Sequence, residues 1–128
     1  MSMENKKYLG IDWGEKRIGL ATADEETSLA LPLKTVATLA EVLTVVRQDQ
    51  IDVIVVGSPK KMSGEAANNQ AWLKFVADLK EQSGQAVELL DERLSSLAAD
   101  ALDGGAKEKA ERDEIAATII LQDYLDRN

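Results

Sequence analysis

The 128-residue chain contains no cysteine and no histidine. Without cysteine there is no disulfide, no thiolate nucleophile and no zinc–sulfur site. Without histidine the commonest general base near neutral pH and the commonest transition-metal ligand are both missing. Any chemistry must rest on carboxylates, hydroxyls, lysines, backbone amides or a bound hard cation. The sequence also lacks an apolar run long enough to span a bilayer, and its N-terminal residues lack the apolar core of a signal peptide. The expectation is a cytoplasmic protein with no membrane partner. Basic residues are in deficit: 15 Lys and Arg stand against 23 Asp and Glu, for a net charge of −8. That balance argues against a protein that coats nucleic acid indiscriminately, because phosphate contacts need basic surface.

A hydrophobic content of 45% with 30% charged residues is that of an ordinary globular chain. Its length suits one domain, residues 1–128, with a single core. Tyr8–Asp12 and Ile18–Ala23 read as two strands joined by a turn containing Gly14, Lys16 and Arg17. Leu29–Leu33 is a short extended piece whose Pro32 suits an edge or a strand end. Thr38 then precedes a helix with Leu39, Val42, Leu43 and Val46 at helical spacing. Asp52–Gly57 is a continuous apolar run, the pattern of a central strand buried on both faces and parallel to a neighbour.

Residues 58–65 form a loop, followed by a helix with Trp72, Phe75, Val76 and Leu79 on its apolar stripe, stopped by Gly84. Ala86–Leu90 is the last strand and delivers Asp91, Glu92 and Arg93 at its carboxyl end. Ser95 or Ser96 can cap a helix ending at Gly104–Gly105, and a final helix spans about 108–126. An antiparallel hairpin region followed by α-β alternation predicts an α/β fold: a mixed sheet with helices on its faces.

Two of the predicted strands end in acid, Asp12 in the first and the Asp91–Glu92 pair in the last. Functional crevices of open α/β sheets lie outside the carboxyl ends of the strands, so these acids meet if their strands are neighbours. Asp113 is a third candidate, sharing a helix face with Ala117, Ile120 and Tyr124. Ala116 and Ala117 are small enough to let that face approach the sheet. Two or three converging carboxylates suit Mg²⁺ or Mn²⁺, hard ions that take oxygen ligands. A pair of such ions ~3.5–4 Å apart can drive phosphodiester hydrolysis without a side-chain nucleophile.

Each acid also has a purely structural explanation. Asp12 fits an Asp-x-Gly turn, Asp91 and Glu92 fit a strand–helix junction, and Asp113 fits the first turn of a helix. Both readings stand until the topology is known. The loop Gly57–Gly64, with Lys60 and Lys61, is a plausible phosphate-facing connection, although it lacks the Gly-Lys-Ser/Thr ending of a P-loop. Eight of the Lys and Arg residues (Lys16, Arg17, Lys60, Lys61, Arg93, Lys107, Lys109 and Arg112) fall in or beside loops and element ends. They admit a local basic rim on an acidic body, or simply solvated loops. Trp13 can stack on a base or cover the hairpin, and the second is the expectation.

Four stretches together resemble the motif blocks of the YqgF/RuvX family. They are Leu-Gly-Ile-Asp-Trp-Gly-Glu-Lys-Arg-Ile-Gly-Leu-Ala (9–21), Val-Val-Gly-Ser-Pro-Lys-Lys-Met-Ser-Gly (55–64), Asp-Glu-Arg-Leu-Ser-Ser (91–96) and Asp-Glu-Ile-Ala-Ala-Thr-Ile-Ile-Leu-Gln-Asp-Tyr-Leu (113–125). They occur in the family's order and cover essentially the whole chain. The resemblance implies a ribonuclease H-like fold with a mixed five-stranded sheet, and a role as a Holliday junction resolvase or a pre-16S rRNA nuclease. It implies that Asp12, Glu92 and Asp113 are the catalytic, metal-binding acids, with Asp91 adjacent to assist or substitute for Glu92. Lys16 and Arg17 match the family's basic pair after the first strand, and Arg93 matches the arginine after its acid. Two departures stand out: residues 104–112 are shorter and more acidic than the basic loop usual there, and Ser95–Ser96 replaces a pair of threonines.

The function expected is that of a Mg²⁺- or Mn²⁺-dependent nuclease acting on structured RNA, most directly at the 5′ end of pre-16S rRNA. Lys16, Arg17, Lys60, Lys61 and Arg93 would meet the substrate backbone. Four-way DNA is the alternative substrate, and its symmetric resolution needs a dimer that the sequence does not reveal. A non-catalytic ribosome-assembly factor is a further alternative, opposed by the presence of all three acids. Actin-like phosphotransferases share the Asp-x-Gly hairpin but need two such domains, for which this chain is too short.

Overall fold

A computed structural model describes residues 5–14, 16–58, 66–91 and 109–127. Strand β1 (Lys7–Asp12) turns into β2 (Ile18–Asp24), and β3 (Leu31–Val36) returns along the outer side of β2. Helix α1 (Leu39–Gln48) crosses to β4 (Val53–Ser58), and α2 (Ala66–Ser83) crosses to β5 (Ala86–Asp91). The last described helix, α3, spans Lys109–Arg127. The five strands make one sheet in the order β3-β2-β1-β4-β5. Its first three strands are antiparallel, and β4 runs parallel to both β1 and β5. This is the mixed sheet that the hairpin-then-alternation pattern predicts. The expected loop at 59–65 and the helix expected from Ser95 or Ser96 to Gly104–Gly105 lie outside the described residues.

The strand alternation divides the core in two. Leu9 and Ile11 of β1, Ile18 and Leu20 of β2, and Ile54 and Val56 of β4 face α1 and α2, where Val42, Val46, Trp72, Phe75 and Leu79 meet them. On the other face Ala21 and Val55 pack with Leu90 against Ala117, Ile120 and Leu121 of α3. Residues 54–56 of β4 are buried on both faces, as its unbroken apolar run requires. Each fully buried Leu, Ile or Val side chain contributes roughly 1.5–3 kcal/mol, so the two layers together hold the sheet between its helices.

Helix α1 begins with a capping box. The Thr38 side chain accepts from the Glu41 backbone N–H at 3.3 Å, and Glu41 Oε1 accepts from the backbone N–H groups of Ala37 at 2.7 Å and Thr38 at 3.2 Å. The Ala37 amide, followed by that of Thr38, holds the Glu41 carboxyl below the usual glutamate range. Gly84, at φ +69°, ends α2 in the left-handed region that a side chain resists.

The third strand differs from its sequence expectation, running Leu31–Val36 rather than Leu29–Leu33. Asp24 builds a turn by accepting from the Thr27 N–H at 2.9 Å and the Thr27 hydroxyl at 3.0 Å. Beyond it the Ala30 N–H is taken by Gln122 Oε1 of α3 at 2.9 Å, so residues 29–30 stay out of the ladder. The strand then continues through Lys34 and Thr35, polar residues that carry no apolar signal. Pro32 lies on an edge strand, as expected, beside a register shift that leaves Leu33 without a ladder partner.

Candidate active site

Asp12 is the last residue of β1, and its direction follows from its neighbours. Since Leu9 and Ile11 face α1 and α2, period-two alternation turns Tyr8, Gly10 and Asp12 toward α3. Asp12 is paired in register with Gly19 of β2, and Gly19 with Thr35 of β3. These three residues form one row across the mouth of the antiparallel half of the sheet, and the first turns of α3 lie over it. A Cβ built on Gly19 would stand 2.9 Å from Asp113 Cβ and closer still to the Asp113 backbone carbonyl. A Cβ on Gly10 would stand 2.6 Å from Leu121 Cβ and 3.0 Å from the Ala117 carbonyl oxygen. The two glycines therefore let the helix rest on the sheet backbone. Directly opposed antiparallel residues stand roughly 4.5–5.5 Å apart, so Asp113, seated on Gly19, is brought beside Asp12.

The side chains around this row are polar and paired. Arg17 Nε donates to Asp113 Oδ2 at 3.0 Å, across 96 residues of sequence. The Thr35 hydroxyl donates to Glu114 Oε2 at 3.1 Å. Lys16 is exposed on the hairpin turn. Gln122 fastens the outer side of α3, donating through Nε2 to the Ser28 carbonyl at 3.1 Å besides accepting from Ala30. At the inner end Tyr124 and Tyr8 approach with ring centroids 6.1 Å apart. Burial first, and then nearby acid, raises both phenols above their ordinary pKa.

Of the residues singled out from sequence, the structure pairs Arg17 with Asp113 and sets Asp113 over Gly19, the register partner of Asp12. The α3 face expected to carry Asp113, Ala117, Ile120 and Tyr124 is the sheet-facing side, with Ala117 and Ile120 fully buried. Asp91 ends β5 opposite Ser58, two strands from β1 and hence roughly 10 Å away in the sheet. Glu92, Arg93, Lys60 and Lys61 lie outside the described residues. Among the described residues no three His, Cys, Asp or Glu side chains stand close enough to share a metal ion. Cavities of about 310 and 550 Å³, both lined by Lys7 and Ile51, open at the opposite end of the sheet.

Trp13 takes a packing role, against the core cluster that holds Leu9, Ile11, Ile18 and Leu20 of the hairpin. Its ring lies on the α1- and α2-facing side of the sheet, 6.2 Å from the Phe75 ring of α2. Sequence reasoning passed over Gly10, Gly19, Thr35 and Glu114. A glycine inside a strand pattern is a signal of close backbone approach, so the two glycines were the findable ones.

The sheet order and the two-sided placement of helices define a ribonuclease H-like fold. It matches the Thermus thermophilus RuvC structure solved with a Holliday junction substrate, at a TM-score of 0.66 and 21% identity over 94% of each chain. The Fowlpox virus resolvase, solved with Holliday junction DNA, matches at a TM-score of 0.59 and 13% identity over 94% of this chain and 97% of that one. The particular family follows from the sequence match: the chain belongs to the RuvX family, described as Holliday junction resolvase, whose model covers residues 6–127. A Chloroflexus aggregans relative named "Putative pre-16S rRNA nuclease" is 38% identical over 97% of this chain and 96% of its own. A Desulfitobacterium hafniense relative of the same name is 38% identical over 94% and 92%. Membership of this family makes the chain a hydrolase of phosphodiester bonds, with nucleic acid as its substrate.

Proposed function

We propose that the protein is a divalent-metal-dependent nuclease that processes structured RNA at the 5′ end of the small-subunit ribosomal RNA precursor, with residues 1–128 acting as one cytoplasmic domain. The observation that carries the site is the seating of Asp113 on Gly19, beside Asp12 at the carboxyl end of β1. The RNA substrate follows from the relatives' names.

The donor set fits a hard cation, Mg²⁺ or Mn²⁺, because the acids offer only oxygen and the chain has neither histidine nor cysteine. Asp12, Asp113 and Glu92 would hold it, with Asp91, next to Glu92 in the sequence, as its substitute or aid. When bound, a pair of such ions supplies activation of the attacking water and charge neutralisation at the leaving oxygen. The protein's own part is positional. The β1 ladder fixes Asp12, the Gly19 contact fixes the start of α3, and Lys16 and Arg17 on the adjoining turn offer positive charge to the substrate backbone, joined by Lys60, Lys61 and Arg93.

A second reading is resolution of four-way DNA, favoured by the family description. Symmetric cleavage of such a junction requires two active sites and hence a homodimer, whereas RNA trimming requires only a monomer. Cleavage of matched precursor-RNA and four-way DNA substrates by the wild type and Asp12→Asn tests both. The expected outcome is preferential RNA cleavage and a loss of at least about a hundredfold in the variant, beyond the loss typical of disturbing a metal site's supporting shell. Wild-type rates from Asp12→Asn would remove Asp12 from the mechanism, and faster junction cleavage would select the second reading.

A further inference from the structure

Arg17 is bound to one of the acids assigned to the metal, and the form of that contact carries a consequence for how the site fills. Arg17 reaches Asp113 through Nε alone, at 3.0 Å from Oδ2. By contrast, Arg127 approaches both oxygens of Asp123, with Nε 3.2 Å from Oδ1 and Nη2 3.1 Å from Oδ2. The two ends of the Arg17 contact differ in freedom. The Arg17 side chain is 43% exposed on a turn, while Asp113 is 26% exposed on a helix seated against Gly19. The carboxylate is the fixed partner and the guanidinium the movable one.

The row beneath α3 also concentrates negative charge, with Asp12, Asp113 and Glu114 on one side of a protein of net charge −8. An arginine on Asp113 offsets part of that charge. We propose that Arg17 is a place-holding counter-ion: it occupies Asp113 while the site lacks metal, releases it when a divalent cation binds, and becomes free to meet a backbone phosphate of the substrate. The inference rests on the reading of Asp113 as a metal ligand. An exposed pair of this kind is worth on the order of fivefold at most in an equilibrium. Repulsion between a guanidinium and a divalent ion on one carboxylate amounts to on the order of tenfold or more even at the dielectric of water, so sharing is the less stable arrangement.

The test is nitrogen-15 NMR of the Arg17 Nε–H group in the full chain, titrated with Mg²⁺ and assigned by the loss of the signal in Arg17→Gln. Calorimetry follows Mg²⁺ binding in parallel. The metal-free protein is expected to show a slowly exchanging Nε–H that becomes fast-exchanging as the site fills, and Asp113→Asn should release it without metal. Arg17→Gln should bind Mg²⁺ roughly two- to fivefold more tightly than the wild type, with Arg17→Lys in between. A signal that stays put at Mg²⁺ concentrations where calorimetry shows saturation overturns the place-holder and leaves the metal site standing. Weaker Mg²⁺ binding by Arg17→Gln does the same, by making Arg17 a positioning residue. The absence of any Mg²⁺ binding overturns both.

Discussion

Substituting Gly19 by alanine should separate the positioning of Asp113 from the general stability of the fold. The added methyl would stand 2.9 Å from Asp113 Cβ and nearer to its backbone carbonyl, where ordinary carbon contacts lie at about 3.5–4.0 Å. Backbone sits on both sides of this contact, so no side chain can rotate away, and the start of α3 must retreat by roughly 1 Å or more to restore ordinary separations. Overpacking of this kind costs about 1–3 kcal/mol, a sizeable part of the ~5–15 kcal/mol by which domains are stable. For a chain of this size the loss corresponds to a fall in Tm of roughly 4–11 °C.

Gly10→Ala is the matched control. Its methyl meets Leu121 Cβ at 2.6 Å and the Ala117 carbonyl at 3.0 Å, further along the same helix and away from Asp113. Both variants should lower the denaturant midpoint by similar amounts with little change in slope. Gly19→Ala alone should also weaken Mg²⁺ binding, by on the order of tenfold, when measured by calorimetry well below its melting temperature. Equal Mg²⁺ affinity in the two variants would falsify the claim that Gly19 sets the position of Asp113.

Other outcomes follow from groups whose titration the fold has moved. Because the Ala37 and Thr38 amides hold the Glu41 carboxyl low, the capping box contributes its full stability above the ordinary glutamate pKa and loses it as pH falls through the lowered value. Glu41→Gln should therefore flatten the acid limb of a stability–pH curve, and an unchanged limb would show that the box is not formed in solution. Tyr8 and Tyr124 are the only tyrosines, and burial raises both. The whole tyrosinate absorbance titration of the folded protein should lie above that of the denatured chain. The stability they contribute is present below the ordinary tyrosine pKa and lost as pH rises through the raised values. A folded-state curve that overlays the denatured one would mean that the 6.1 Å ring pair is open in solution.

Much of the fold is legible in the order of apolar residues. The bounds of β1, β2, β4, β5 and α3 fall within a residue of the pattern, because period-two and helical spacing respond directly to which side faces the core. The third strand was not legible from that count. Its extent depends on Gln122 of α3 taking the Ala30 amide and on Glu114 accepting from Thr35, contacts that lie 92 and 79 residues away.

The sequence by itself determined which chemistry is open to this protein. The absence of histidine and cysteine leaves oxygen ligands, and the resemblance carried by four motif blocks in order implies Asp12, Glu92 and Asp113 as the acids. Tertiary structure decided that Asp113 lies over the residue paired with Asp12. The Asp12–Gly19 register is made across the hairpin, the seat of Asp113 on Gly19 across nearly the whole chain, and the Arg17 contact across 96 residues. Such proximity depends on strand order and on how closely a helix can approach bare backbone. A one-dimensional pattern records the glycine that makes room, but not the carboxylate that comes to rest there.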